Sequence, residues 1–268
     1  MPMGARIRGI LLWSVSILVI AFLVLPLLVI VPISFSSASF LSLPIPGFSL
    51  RWYEALLTSP VWGRAILNSL IVGVIATVIA VGLGTLAAVG LHRNEFRGKA
   101  LLMGVLISPM IVPIVIVALG SYFFYAPLGL SSSLLGLGLA HAALGAPFVL
   151  ITVSATLTGF DANFARAAAS LGAPPLTVFR RVTLPIIAPG VISGALFAFV
   201  TSFDEVVVAL FLTGPLQRTL PRQMFDGIRE NISPTILAAA TLLIVLAVGL
   251  LLTAEMLRRR SQRLRGIS

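Results

Sequence analysis

Residues 65–91 read AILNSLIVGVIATVIAVGLGTLAAVGL. No charged side chain interrupts them, and Asn68, Ser69, Thr77 and Thr85 are their only polar groups. A helix rises about 1.5 Å per residue, so about 20 apolar residues cross a hydrocarbon layer about 30 Å thick. Backbone N–H and C=O groups find no water there, and only a helix or a closed barrel satisfies them internally. Barrel strands alternate apolar and polar positions over about ten residues. This stretch does not alternate and is much longer, so it reads as a transmembrane helix.

Five further runs repeat the pattern. They span Ile10 to Ile33, Ala100 to Tyr125, about Leu135 to Leu157, about Ile186 to Leu212, and Ser233 to Leu257. The run at 135–157 is rich in Gly, Ala, Ser and Thr. Small residues let helix backbones approach closely, which predicts a place inside the bundle. Pro109 and Pro113 predict a kinked or partly opened third helix, whose freed carbonyls either line a pore or simply accompany a packing kink. The first run follows Arg6 and Arg8 and precedes Ser37-Ala38-Ser39, as a cleaved leader would. Its apolar core exceeds the 7–15 residues of a leader core, so it reads as a retained helix. The expected fold is an all-α membrane protein of about six transmembrane helices, one domain over residues 1–268. We find no low-complexity stretch, no soluble domain, and no inverted repeat of the kind that marks many secondary transporters.

Composition agrees. Apolar residues make up 59% of the chain and charged residues 10%, and mean hydropathy is +1.12. A soluble domain has too little interior to hide that apolar surface. There are no cysteines, which excludes disulfides, thiolate metal sites and cysteine nucleophiles. The two histidines, His92 and His141, are far apart, which argues against a histidine metal site. The net charge of +10 is not a nucleic-acid footprint, because the basic residues sit between the apolar runs, where they report topology. With the N-terminus in the cytoplasm, the inside holds Arg6, Arg8, Arg93, Arg97, Lys99, Arg166, Arg180, Arg181, Arg258, Arg259, Arg260, Arg263 and Arg265. That is 13 of the 18 basic residues, and Arg51, Arg64, Arg218, Arg222 and Arg229 lie outside. Both termini are therefore expected inside. The outer loop from Ser34 to Arg64 carries Trp52, Tyr53 and Trp62, residues suited to a membrane–water interface.

The inside loop between the fourth and fifth runs carries the most information. It reads GFDANFARAAASLGAPP from Gly159 to Pro175. Asp161 can cap a helix by accepting from free backbone N–H groups. Five alanines make that helix favourable. Gly172 suits a left-handed C-terminal cap, and Pro174-Pro175 stop one helix and start another. Phe160, Phe164, Ala168 and Leu171 fall on one face at helical spacing. An apolar face on a short helix outside the membrane lies on the bilayer, folds against its own bundle, or docks on a cytoplasmic protein.

The loop resembles the cytoplasmic motif of ABC importer permeases: Glu-Ala-Ala, three residues, Gly, nine residues, Ile, any residue, Leu-Pro. Here the frame is Arg166-Ala167-Ala168, then Gly172, then Val182-Thr183-Leu184-Pro185. The departure is Arg166, where the family usually carries Glu. The resemblance extends from about Asn68 to the C-terminus. It includes Thr183 to Gly190, Ser202-Phe203-Asp204-Glu205-Val206-Val207-Val208, Phe211 to Pro215, Thr219-Leu220-Pro221 and Ile232-Ser233-Pro234. These look like the second permease subunit of spermidine/putrescine importers. The resemblance implies a type I ABC importer permease in a bacterial inner membrane, with its core over about 64–257 and a coupling loop over about 159–185. It implies a second permease subunit, two copies of an ABC ATPase and an extracytoplasmic binding protein as partners, besides membrane lipid and without nucleic acid. It also implies that ATP and Mg act at the ATPase and that this chain binds no cofactor. The chain has no Gly-x-x-x-x-Gly-Lys-Ser/Thr loop, so hydrolysis by that route belongs to another polypeptide.

Asp204 and Glu205 interrupt the fifth apolar run. Carboxylates at membrane depth cost about 2.5–3.5 kcal/mol on insertion scales and tend to face a cavity or a partner. They either line a route for a cation such as a polyamine, or lie at the interface or pair with Arg218 or Arg222. About 100° separates them on a helix, so only one would face a pathway. Asn68 and Ser69 read as packing or capping groups, His141 as a core residue, and Met110 as packing. The alternatives are an ABC permease for another amine, an amino-acid derivative or ferric ion, and, in a different class, a secondary transporter or a membrane enzyme. A secondary transporter has no need of the loop, and an enzyme would need converging nucleophiles or ligands that the runs do not supply.

The topology is directly testable because the chain has no native cysteine. A cysteine at Ser39 is expected to react with a membrane-impermeant maleimide from outside, and one at Ser261 only after permeabilisation. The opposite labelling would invert every loop assignment.

Overall fold

The computed structural model describes residues 3–42, 44–230 and 233–264. Ile232 and Arg265, used above, lie outside them. Apart from one antiparallel bridge between Ser36 and Phe48, regular structure among the described residues is helical. The helices are α1 Met3–Ser34, α2 Arg51–Thr58, α3 Pro60–Arg93, α4 Lys99–Ile107, α5 Ile114–Tyr125 and α6 Leu134–Leu157. They continue as α7 Ala162–Ser170, α8 Pro175–Val178, α9 Leu184–Asp204, α10 Val207–Leu212, α11 Leu220–Glu230 and α12 Pro234–Leu264. Among the described residues five helices are long and apolar enough to cross a membrane, and six spans result if the bent pair α4–α5 counts as one.

Two of the six runs break, the third where Pro109 and Pro113 predict a kink or opening and the fifth where a continuous span is expected. The third breaks between Met110 and Ile114, and its halves diverge by 97°. Pro109 and Pro113 remove two donors, and Pro113 itself leaves the helical region at ψ 128. The chain tightens into a 3₁₀ turn, Ser108–Met110, and Ile111 and Val112 both donate to the Ser108 carbonyl, at 2.9 and 3.0 Å. The fifth run also breaks. α9 ends at Asp204, Glu205 is extended, and α10 begins at Val207. At its other end this span begins earlier than expected, at Pro175, and runs through a π turn at Phe179–Thr183 into α9.

The chain divides into two compact units. The first comprises residues 1–60 and 226–245. In it, positions 11–29 of α1 are exposed, as a lipid-facing helix requires. The segment after α1 folds back. Ser37 donates to Gly47 O (2.8 Å), Ser49 donates to Phe35 O (2.7 Å), and Trp52 Nε1 donates to Ser36 O (2.8 Å). Tyr53 shares a 2.7 Å hydrogen bond with Ser34 and packs its ring 4.9 Å from Phe35.

The second unit comprises residues 61–225 and 246–268. α6 is its axis and the most buried of the spans among the described residues, which agrees with the interior place expected from its small residues. It packs along α9 and buries Val149, Leu150, Val153 and Leu157 with Ile187 and Ala198. Toward its start it buries Leu137, Ala140 and Leu144 with Val72 of α3 and Val208, Ala209 and Leu212 of α10. Within lipid no hydrophobic force draws helices together, so backbone proximity carries the packing. Gly194 shows how close α9 comes: a Cβ there would sit 2.6 Å from Thr152 Oγ1 and 2.8 Å from Val149 Cα. Because Val149 Cα is backbone, the clash cannot be relieved by a rotamer. Gly194→Ala is therefore expected to destabilise the protein by roughly 1–3 kcal/mol. Thermal unfolding of the purified protein in detergent measures this, and an unchanged midpoint would contradict the contact.

Candidate functional site

The segment from Phe160 to Pro185 forms the capped helix expected of it. Asp161 is extended, and its carboxylate accepts from Asn163 N–H at 2.8 Å. Gly172 has φ +83, Gly172 N–H donates to Ala169 O (2.9 Å), and Ala173 N–H donates to Ala168 O (3.2 Å). This is the Schellman pattern, which uses two of the carbonyls that a helix end leaves free. The apolar face is divided, however. Phe160 precedes the helix and packs on the core with Leu157, so it does not join Phe164 on a helix face. Its partner there is the bundle. Phe164 and Leu171 are 58% and 90% exposed, and Ala168 is half-buried. Leu184 packs on the same core as Phe160, and Pro185 occupies the first turn of α9. Arg166 is exposed, and its guanidinium donates to Asn163 Oδ1 at 2.8 Å. A cavity of about 200 Å³, lined by His92, Arg93, Phe160, Ala162, Ala165 and Thr183 among others, separates α7 from the end of α3.

α6 is 24 residues long, so its start lies about 36 Å from α7. Toward that far end the chain places Asp204 and Glu205. His141, fully buried on α6, shares a 2.9 Å hydrogen bond with Ser202 one turn before the break. Glu205 accepts from Val208 N–H at 2.9 Å and so caps α10. Arg222 donates to Ala209 O and to the carbonyl and hydroxyl of Thr213, at the other end of α10. Carboxylate at the N-terminus and guanidinium at the C-terminus match the helix dipole. Of the two acidic residues, Asp204 is exposed and Glu205 half-buried. Asn68 Nδ2 donates to Leu216 O and Arg218 O, both at 2.9 Å, and Ser69 Oγ accepts from Leu220 N–H at 2.8 Å. These two residues latch the 213–219 loop to α3.

Residues 80–263 match the family described as binding-protein-dependent transport system inner membrane component. The chain belongs to that family. It is 33% identical over 243 residues to the spermidine/putrescine transport system permease protein PotC of Haemophilus influenzae, covering 91% of this chain and 94% of the relative. It is 36% identical over 266 residues to the putrescine transport system permease protein PotI of Escherichia coli K12, covering 95% and 94%. A bacterial alginate ABC transporter, solved in complex with an alginate pentasaccharide-bound periplasmic protein, has a chain of the same fold. The TM-score is 0.71 at 17% identity, over 97% of this chain and 98% of that one.

The family match in this inner-membrane permease component takes in α7 and the break at Glu205. The sequence indicated the caps of α7 and the two acidic residues. It did not indicate that Glu205 is a cap or that Arg222 closes α10. An acidic residue just before a Val-Val-Val run is a helix-start signal that an uninterrupted apolar reading overrides. No spacing rule points to Arg222. Asn68→Ala in this permease is expected to free two carbonyls, at a cost of about 1–3 kcal/mol, and to speed hydrogen exchange at the amides of 214 and 216–219. Unchanged exchange there would show that the loop is held without Asn68.

Proposed function

We propose that this chain is a non-catalytic permease subunit of an ATP-driven importer that moves a polyamine cation into the cytoplasm by alternating access. A second permease subunit completes the pathway, two ATPase subunits using ATP and Mg dock on the side of α7, and an extracytoplasmic binding protein delivers substrate at the far end. Both termini lie in the cytoplasm. The likeness to two polyamine permeases over nearly the whole chain supports the solute class.

The observation that carries the reading is the break after α9. Asp204 is an exposed carboxylate in a segment otherwise suited to hydrocarbon. A carboxylate facing lipid costs about 2.5–3.5 kcal/mol at the centre of a span and less toward its ends, so Asp204 is better matched to a water-filled route or to a partner chain. A polyamine gives up hydration of its ammonium groups on entering a narrow route, and a carboxylate replaces part of it. Glu205, committed to Val208 N–H, serves chiefly to hold the break open. In this reading ATP binding below and delivery above bias one two-state bundle.

The two carboxylates are therefore expected to differ. Asp204→Asn should lower uptake of labelled spermidine or putrescine roughly tenfold, the equivalent of about 1.4 kcal/mol, with the complex still assembled. Glu205→Gln keeps an oxygen that can accept from Val208 N–H and should cost less. Uptake, assembly and expression are measured together. Normal uptake in both variants removes them from the route and weakens the case for a cationic solute, whereas loss of assembly assigns them a structural role.

A further inference from the structure

Helical spacing sorts the residues of α7 into three directions. With about 100° per residue, half-buried Ala165 points at the bundle and lines the cavity beside α3, and exposed Ala162 borders the same cavity. Asn163, Ala167 and Ser170, all exposed, point away from it. Phe164 and Leu171 form one shoulder of this outward strip. Arg166, about 200° round from Phe164, forms the other. The helix thus presents an apolar edge and a basic edge on either side of small residues.

The charge on this surface is one-sided. Residues 159–185 hold three arginines, Arg166, Arg180 and Arg181, against Asp161, a net of +2. All three arginines are exposed. Asp161 is committed to the N-cap, so its negative charge is already matched to the helix start. Arg166 spends one of its five N–H donors on Asn163. That bond orients the guanidinium over the outward strip. A planar guanidinium held this way fits a carboxylate with two parallel bonds, whereas a facing cation would be repelled.

We propose that α7 selects its ATPase by charge: it fits a docking groove with an apolar wall for Phe164 and Leu171 and an opposite wall carrying a carboxylate for Arg166. The proposal rests on the reading of α7 as the ATPase-docking helix. Two unlike edges fix the rotation of α7 about its own axis in the groove, which an all-alanine helix would leave free. Arg166 is also the position where this chain departs from the family motif, so the matching groove carries charge opposite to one that fits Glu there. Arg180 and Arg181 sit in the π turn leading into apolar α9, where lipid headgroups compete for them. Arg166 is therefore the residue that separates the two possible counter-surfaces.

The test uses the complete transporter, co-expressed with its cognate second permease and ATPase and reconstituted in neutral phosphatidylcholine or in mixtures with anionic phosphatidylglycerol. Retention of the ATPase subunit and substrate-stimulated ATP hydrolysis are the readouts. Arg166→Glu is expected to weaken retention roughly tenfold at low salt, with the difference from the parent shrinking as salt is raised. Arg166→Lys should lose less. Suppressors of Arg166→Glu in the ATPase should replace an acidic residue. Phe164→Ala with Leu171→Ala tests docking itself. If that pair uncouples hydrolysis while Arg166→Glu behaves as the parent, charge selection is wrong and docking stands. If neither has an effect, the docking reading falls and this proposal with it. A defect of Arg166→Glu confined to anionic membranes would make lipid the counter-surface and overturn the proposal.

Discussion

Hydrocarbon supplies no hydrogen-bond partners, and where the apolar spans of this protein break, its own side chains and turns take up backbone groups that the helices release. The break at Glu205–Val206 is the clearest case. Interrupting a helix there leaves N–H groups on one side and carbonyls on the other without their usual partners. Glu205 takes up one of the N–H groups of α10. Arg222 takes up carbonyls at its far end. A six-residue helix is too short to persist alone, and here it is held by opposite charges at its two ends and by the burial of Val208, Ala209 and Leu212. The break at Pro109–Pro113 uses the other available device. Prolines remove donors outright, and a 3₁₀ turn shares one carbonyl between Ile111 and Val112.

The same solvent explains why α6 and α9 meet through small residues. Leucine gains little by leaving lipid for a protein interior of equal polarity, so contact depends on how near the backbones come. Gly194 brings them within reach of a single missing methyl group. The close approach also shields polar groups. His141 and Ser202, both buried, find each other across this interface, and a hydrogen bond between helices discriminates among registers that apolar contacts would tolerate.

What could be read from the sequence follows from which forces are local. The spans were legible because length and apolarity are local, and so were the caps of α7, since Asp161 and Gly172 act on backbone two or three residues away. The interior place of α6 was legible from its small residues. The rest depended on distant groups. Arg222 reaches Ala209 across 13 positions, and Asn68 reaches Arg218 across 150, so no periodicity exposes either. Helical spacing alone places Phe160 on a face with Phe164. The N-cap at Asp161 puts it before the helix, and the core at Leu157 claims it. The fifth run reads as one span because it is apolar on both sides of Asp204-Glu205, while the break is made by one of these carboxylates turning to the backbone just after it.

α9 connects the two ends at which chemistry is concentrated. From Pro175 to Asp204 the chain is helical for 30 residues, about 45 Å. Its first turns follow directly on α7 through the Gly172 cap and Pro174-Pro175, and its last residue is the exposed carboxylate. No proline kink as sharp as that between α4 and α5 interrupts it. Pro185 and Pro189 each leave it one N–H short, just beyond its π turn. Ahead of these prolines comes the π turn at Phe179–Thr183, next to the segment that faces outward from the bundle. A π turn carries an extra residue per turn and shifts the register of everything after it. The turn lies near α7 and not near Asp204, so the register that Gly194 and Ser202 fix between α9 and α6 is set beyond it.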